Sequence, residues 1–256
     1  MCGRFLLLAP AEALRRLFGA GGSPNLAQRY NIAPTQSTAV VRLKPDGGRE
    51  LVSLRWGLIP SWAKDAMTGA GQINARAETL AVKPSFRAAY RQRRCLVPAD
   101  GFYEWQAPAS GGGTKQPFLI ARADRATFAF AGLWEHWQDR SQTIESFAIV
   151  TTDANATLQP IHHRMPAILE PRDCAAWLDP QNQRAGELLK PAPDDALTAT
   201  PISTRVNSVA NDDPGIIEPV SVAAVMPAAP APKPRPAKNK NRIKPDDPHP
   251  TQGSLF

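Results

Sequence analysis

The sequence predicts a β-rich α+β fold, with mainly antiparallel sheets forming an open barrel-like core and a few peripheral helices. Three observations predict it. Short runs of strand-like composition recur along residues 1–226. Turn-rich pieces such as Lys44-Pro45-Asp46-Gly47-Gly48 separate them. The regular strand–helix alternation of a doubly wound sheet is missing.

Each element has its own warrant. Residues 9–18 have helical spacing, with Leu14, Leu17 and Phe18 on one side and Arg15 and Arg16 on the other. The stretch 19–24 ends that helix with glycines and a proline. Residues 38–43 and 50–56 are strand-like on either side of the Lys44 turn. Short strands are expected at 95–98, 101–105, 117–121 and 127–134, with the turn-rich 109–114 among them. Two more are expected at 146–152 and 166–169, and helices at 172–178 and 183–189.

Composition bounds the rest. The chain has 256 residues, 43% of them hydrophobic, enough for a sizeable core, which excludes a wholly disordered protein. No run reaches the roughly 18 apolar residues of a membrane span. The apolar stretch after Met1 is too short for a secretory signal and meets Pro10, so a cytoplasmic protein is expected, with no membrane partner. Cys2, Cys95 and Cys174 are odd in number and widely spaced, which argues against a disulfide framework or a zinc ribbon; no metal and no cofactor is expected.

The charge is uneven. Residues 227–256 carry +4 of the total +7, and residues 227–250 hold eight prolines. That composition predicts a catalytic domain over 1–226 and a disordered, Pro/Lys-rich tail over 227–256. The tail ends Gln252-Gly253-Ser254-Leu255-Phe256. Paired large apolar residues are unusual at the end of such a tail, and the ending is similar to peptides that dock on the bacterial sliding clamp. Gln252, Leu255 and Phe256 are therefore candidate clamp-binding residues, with the prolines as a tether.

Five stretches carry candidate chemistry. Cys2 follows the initiator; once Met1 is removed, its α-amine and thiol would sit on adjacent carbons, both partly nucleophilic near neutral pH. Such an aminothiol closes a thiazolidine on an aldehyde; taken alone, the residue reads rather as an accident of sequence beside the start. Asn74, Arg76 and Glu78 lie in Ile73-Asn74-Ala75-Arg76-Ala77-Glu78-Thr79, either a site that orients a carbonyl and clamps phosphate or a loop network. Glu104, between Tyr103 and Trp105, is either an acid–base group with a raised pKa or a solvated strand residue. His162 and His163 precede Arg164 and supply proton-shuttling imidazoles or a surface pair. Trp56 is assigned to the core, and Trp62, beside Lys64, is open to base stacking.

Read in order, Met1-Cys2-Gly3-Arg4-Phe5, Tyr30-Asn31-Ile32-Ala33-Pro34, Trp56-Gly57-Leu58-Ile59-Pro60-Ser61-Trp62, the Asn74 stretch, Pro98-Ala99-Asp100-Gly101-Phe102-Tyr103-Glu104-Trp105 and His162-His163-Arg164-Met165-Pro166 closely resemble the SRAP family, the SOS response-associated peptidases. The resemblance runs from residue 1 to about 220. It implies an abasic-site sensor of the DNA damage response, a nucleoid-associated monomer acting on single-stranded DNA. Cys2, freed of Met1, would form a thiazolidine DNA–protein crosslink with the ring-opened sugar. Family roles make Cys2, Asn74, Glu104 and His162 catalytic. Glu104 also assists Met1 removal, and His162 moves protons on the sugar oxygen. Arg4, Arg76 and Arg164 would hold phosphates and Trp62 would wedge the flanking bases. Two positions depart from the pattern: His163 fills a variable site, and Ala63 stands where some members have a second aromatic. The competing expectation is a cysteine peptidase or N-terminal-nucleophile amidohydrolase using Cys2.

Overall fold

The computed structural model describes residues 2–108 and 112–221. The expected tail, with Gln252, Leu255 and Phe256, lies outside the described residues.

Among the described residues, fourteen strands form two sheets. In chain order they are β1 (Phe5–Leu7), β2 (Ala20–Gly21), β3 (Arg29–Ile32), β4 (Ser37–Leu43), β5 (Arg49–Trp56), β6 (Asn74–Arg76) and β7 (Arg94–Ala99). There follow β8 (Gly101–Gln106), β9 (Gln116–Arg122), β10 (Phe128–Gln138), β11 (Thr143–Asp153), β12 (Arg164–Pro166), β13 (Ile168–Leu169) and β14 (Leu197–Pro201). Three short α-helices punctuate them: α1 (Ala11–Phe18), α2 (Arg87–Gln92) and α3 (Cys174–Leu178).

The larger sheet runs β12-β11-β10-β7-β4-β5-β2. A parallel seam, with Ser146 opposite Arg55 and Phe147 opposite Trp56, joins β11 back to β5. The strands β11, β10, β7, β4 and β5 therefore form a closed ring, so the barrel-like core has a shut wall. The second sheet, β14-β9-β8-β1-β3, is antiparallel throughout. The expected β-rich α+β class holds.

Aromatic side chains join the sheets. Phe5 of β1 meets Trp56 of β5 edge-on at 5.1 Å between ring centres and Phe130 of β10 at 5.9 Å. Phe102 of β8 meets Phe130 at 5.8 Å. All four are fully buried, and such edge-to-face pairs add roughly 0.5–1.5 kcal/mol each beyond area burial.

Several elements depart from the expectation. Helix α1 starts at Ala11 because Pro10 is extended, and Leu17 is 48% exposed while Leu14 and Phe18 are buried. The expected strand 166–169 is two pieces that change partner. Pro166 faces Thr151 of β11 and Ile168 faces Phe130 of β10, with Ala167 bonding to both neighbours between them. The expected helix at 183–189 is one 3₁₀ turn, Ala185–Leu188.

Candidate functional site

The antiparallel register sets the first contact. Phe5 lies opposite Phe102, and the Tyr103 N–H donates to the Arg4 carbonyl at 3.0 Å. Cys2, two residues before Arg4, lies close enough to Glu104, one residue after Tyr103, to feel its charge. Cys2 is fully buried and Glu104 is 2% exposed. Asn74 arrives from β6, which pairs in parallel with β11, and its Nδ2 donates to the Cys2 carbonyl at 2.7 Å. Asn74 Oδ1 is buried and accepts nothing. One acceptor is thus held in reserve beside Cys2.

His162 sits on the loop between β11 and β12. Gln106, at the end of the strand that carries Glu104, donates to Pro160 O at 3.0 Å and ties that loop down. The Arg164 N–H donates to His162 Nδ1 at 3.0 Å, and the Arg164 carbonyl lies 3.2 Å from the same nitrogen. Lys115 acts electrostatically on both Glu104 and His162, which places the two near one cation.

Burial sets the proton chemistry. It pushes Glu104 up to about 7, against the opposing charge of Lys115. It pushes His162 down to about 4, helped by His163, whose ring stacks on it at 4.5 Å and 21°. Burial and the nearby Glu104 charge push the Cys2 thiol far up. Near neutral pH the site therefore holds a protonated thiol, a carboxyl at its midpoint and a neutral imidazole whose Nδ1 accepts.

The remaining expected residues divide. Trp62 is 62% exposed and Arg76 is exposed. The Trp62 loop is fixed at both ends. Gly57 (φ 124°) and Gly69 pack backbone to backbone, a Cβ on either meeting the other's carbonyl oxygen at 2.4–2.6 Å. Trp137 Nε1 donates to Ala63 O at 2.8 Å. Arg4 and Arg164 face inward instead. Arg4 donates to Asn31 Oδ1 at 2.8 Å and Val206 O at 2.9 Å. Arg164, 7% exposed, pairs with Glu78 and Asp153 at 2.6 and 2.7 Å and donates to Thr151 O. In this structure both help hold the frame through these bonds.

Sequence reasoning gave no role to Asn31, Asp100 or Lys115. Asn31 Nδ2 donates to the carbonyls of Val206, Ser208 and Asn211. Those partners lie some 175 to 180 residues away, a pairing that no local spacing announces. Among the described residues no group of His, Cys, Asp and Glu could hold a metal ion, and no helix is long and apolar enough to cross a membrane. A cleft of about 630 Å³ lined by Arg42, Trp134 and Arg94 is no rival centre. Arg42 is shared between Glu50 and Glu145, and Arg94 is consumed by the carbonyls of Tyr90, Trp177 and Asp179.

A buried cysteine, a near-neutral carboxyl and a neutral imidazole on a two-sheet scaffold make a centre for nucleophilic and acid–base chemistry. The chain belongs to the SOS response associated peptidase (SRAP) family, whose model matches residues 1–209. It is 39% identical over 225 residues to the abasic site processing protein YoqW of Bacillus subtilis, covering 85% of this chain and 99% of that one. It is 32% identical over 269 residues to the abasic site processing protein HMCES of Gallus gallus, covering 87% and 79%. A crystal structure of a Bacteroides thetaiotaomicron protein superposes with a TM-score of 0.77 at 29% identity, covering 86% of this chain and all of that one.

Proposed function

We propose that the chain processes abasic sites in single-stranded DNA by capturing them covalently through Cys2 after removal of Met1. The relatives named for abasic site processing support the lesion class. The observation that carries the chemistry is Cys2 held by Asn74 beside a buried carboxyl raised to about 7.

The ring-opened sugar presents an aldehyde carbon. The Cys2 α-amine adds to it, Glu104 takes the ammonium proton, and the carbinolamine loses water to give an imine. The thiol then adds to the same carbon and its proton passes to the nitrogen, closing a thiazolidine with net loss of one water. Ring closure is intramolecular and so has a high effective molarity. It also removes the imine that would promote strand cleavage by β-elimination. Glu104 near its midpoint can accept one proton and return another to the leaving hydroxyl. Asn74 Oδ1 is an acceptor for the amine or a sugar hydroxyl. His162, neutral, moves protons on the sugar oxygen. Exposed Arg76 and Trp62 meet the backbone and bases.

A cysteine peptidase needs thiolate at the moment of attack. Here the burial of Cys2 opposes thiolate formation, which favours attack by the amine. Removal of Met1, with Glu104 assisting, is the proteolytic step this reading contains. The C-terminal Gln252, Leu255 and Phe256 are proposed to dock on a sliding clamp, which would concentrate the domain where single strands are exposed.

Intact-mass analysis with an abasic oligonucleotide tests the capture. The expected product is protein lacking Met1 plus oligonucleotide less one water. Protein that retains Met1 yet still gains the DNA mass would overturn the mechanism, and so would a stable adduct formed by Cys2→Ala.

A further inference from the structure

Several exposed cations on the described surface answer to acids. Arg16 pairs with Glu12, Arg184 with Glu187 and Arg205 with Asp213. The segment 79–99 is different, for it contains no Asp or Glu. Its Lys83, Arg87 and Arg91 are exposed, and none pairs with a carboxylate.

Backbone geometry aligns the three. The N–H groups of Phe86 and Arg87 both donate to Lys83 O at 2.9 Å, so the turn at Lys83 runs directly into α2. Arg87 and Arg91 therefore lie one turn apart on one face of α2, about 6 Å from each other, and Lys83, in the turn before the helix, is joined to Arg87 by the bond to its carbonyl. The opposite face buries Phe86 and Ala89. Lys83 Nζ lies 5.0 Å over the Phe86 ring, which keeps its ammonium at the start of the helix. Burial of that face turns Arg87 and Arg91 outward. The row also continues the candidate site in the chain: β6 carries Asn74 and Arg76, and Thr79 O accepts from the Val82 and Lys83 N–H groups at 3.2 and 2.9 Å.

We propose that Lys83, Arg87 and Arg91 form a track for the phosphates of DNA that flanks the captured nucleotide. The inference rests on the DNA reading above and extends it to a second surface. Arg87 and Arg91 are about 6 Å apart along α2, the axial length of about two nucleotides of one strand, and Lys83 extends the row beyond the start of the helix. The row presents exposed Ala88 beside Arg87, and the segment 79–99 itself carries no carboxylate to repel phosphate. Lysine and arginine aimed at phosphates position a strand without reading its sequence, so the track tolerates any flank.

The test is equilibrium binding against salt. The triple variant Lys83→Gln/Arg87→Gln/Arg91→Gln and the wild type are titrated with a short abasic oligonucleotide and with long ones that carry single-stranded or duplex flanks. On the flank that uses the track, the slope of log affinity against log salt is expected to become shallower by about 2, and affinity at low salt to fall at least tenfold. Crosslinking of the short oligonucleotide is expected at the wild-type rate. Arg87→Lys/Arg91→Lys, which keeps the charges, is expected to keep the slope, and circular dichroism checks that the triple variant folds. The flank on which the slope changes identifies the strand. An unchanged slope on both flanks overturns the track. Wild-type protein that shows this slope but never gains covalent mass instead sinks the capture reading and leaves the track standing.

Discussion

Glu104 carries its negative charge at a cost. Its pKa rises from 4.5 to about 7 because the folded protein removes the carboxylate from water. The folded state therefore holds the proton more tightly than the unfolded chain. Stability from this group is full below about pH 4.5 and is lost as pH rises through about 7. The loss amounts to about 3 kcal/mol. Glu104→Gln removes the charge and keeps the shape. It is expected to melt several degrees above wild type at pH 8, with the gap closing towards pH 5, by calorimetry across that range. The same variant is expected to crosslink roughly 100-fold more slowly. For the wild type, the crosslinking rate is expected to rise with pH through about 7 as the carboxyl ionises; in Glu104→Gln that limb should move to the amine's own range, near 8. His162, down at about 4, is neutral across this window. His162→Ala should slow the reaction without moving the limb at 7, and a limb that moves with His162 instead would reassign the base.

At this scale the sequence was informative where a motif fixes a position beside a neighbouring strand. Cys2, Asn74 and Glu104 do converge, because β1 and β8 pair in register and β6 adds to β11. The inward turn of Arg164 was not legible. It depends on Glu78 and Asp153, which reach it only after the sheet has formed.

The element that sets the site is β1, three residues long and buried throughout. So short a run shows no alternation, which is why it escaped the sequence reading, whereas β4 and β5 announced themselves by apolar content around a strong turn. Strand β1 is held at its end by Asp100, whose carboxylate accepts from the N–H groups of Leu8 and Ala9 and from the Thr127 hydroxyl. Asp100→Ala leaves these donors without that acceptor. It is expected to cost about 2–3 kcal/mol in urea unfolding. It is also expected to slow crosslinking, because the register that delivers Cys2 to Glu104 loses its stop. Asp100→Asn keeps one carbonyl acceptor and should recover part of both losses. Helix α2 escaped for a different reason: its six residues, rich in Arg, carry too little apolar periodicity to be read.

The whole molecule depends on whether its two sheets are one cooperative unit. The closed ring and the antiparallel sheet share no strand, yet Phe5, Phe102, Phe130 and Trp56 interlock between them. These rings bury the same interface from both sides, so loss of either sheet strips the other of its packing. One transition is therefore expected. Trp56 fluorescence follows the ring, although other tryptophans contribute, and labelling of Cys2, identified by peptide mapping to separate it from buried Cys95 and Cys174, follows the β1 sheet. Both should report the same urea midpoint. Phe130→Ala removes the ring that Phe5 and Phe102 both touch and is expected to cost about 3–5 kcal/mol. It should lower both midpoints together. If Cys2 becomes labelled at lower urea than the fluorescence change, in wild type or variant, the antiparallel sheet opens alone. The centre would then be exposed by local unfolding of β1 rather than by global unfolding.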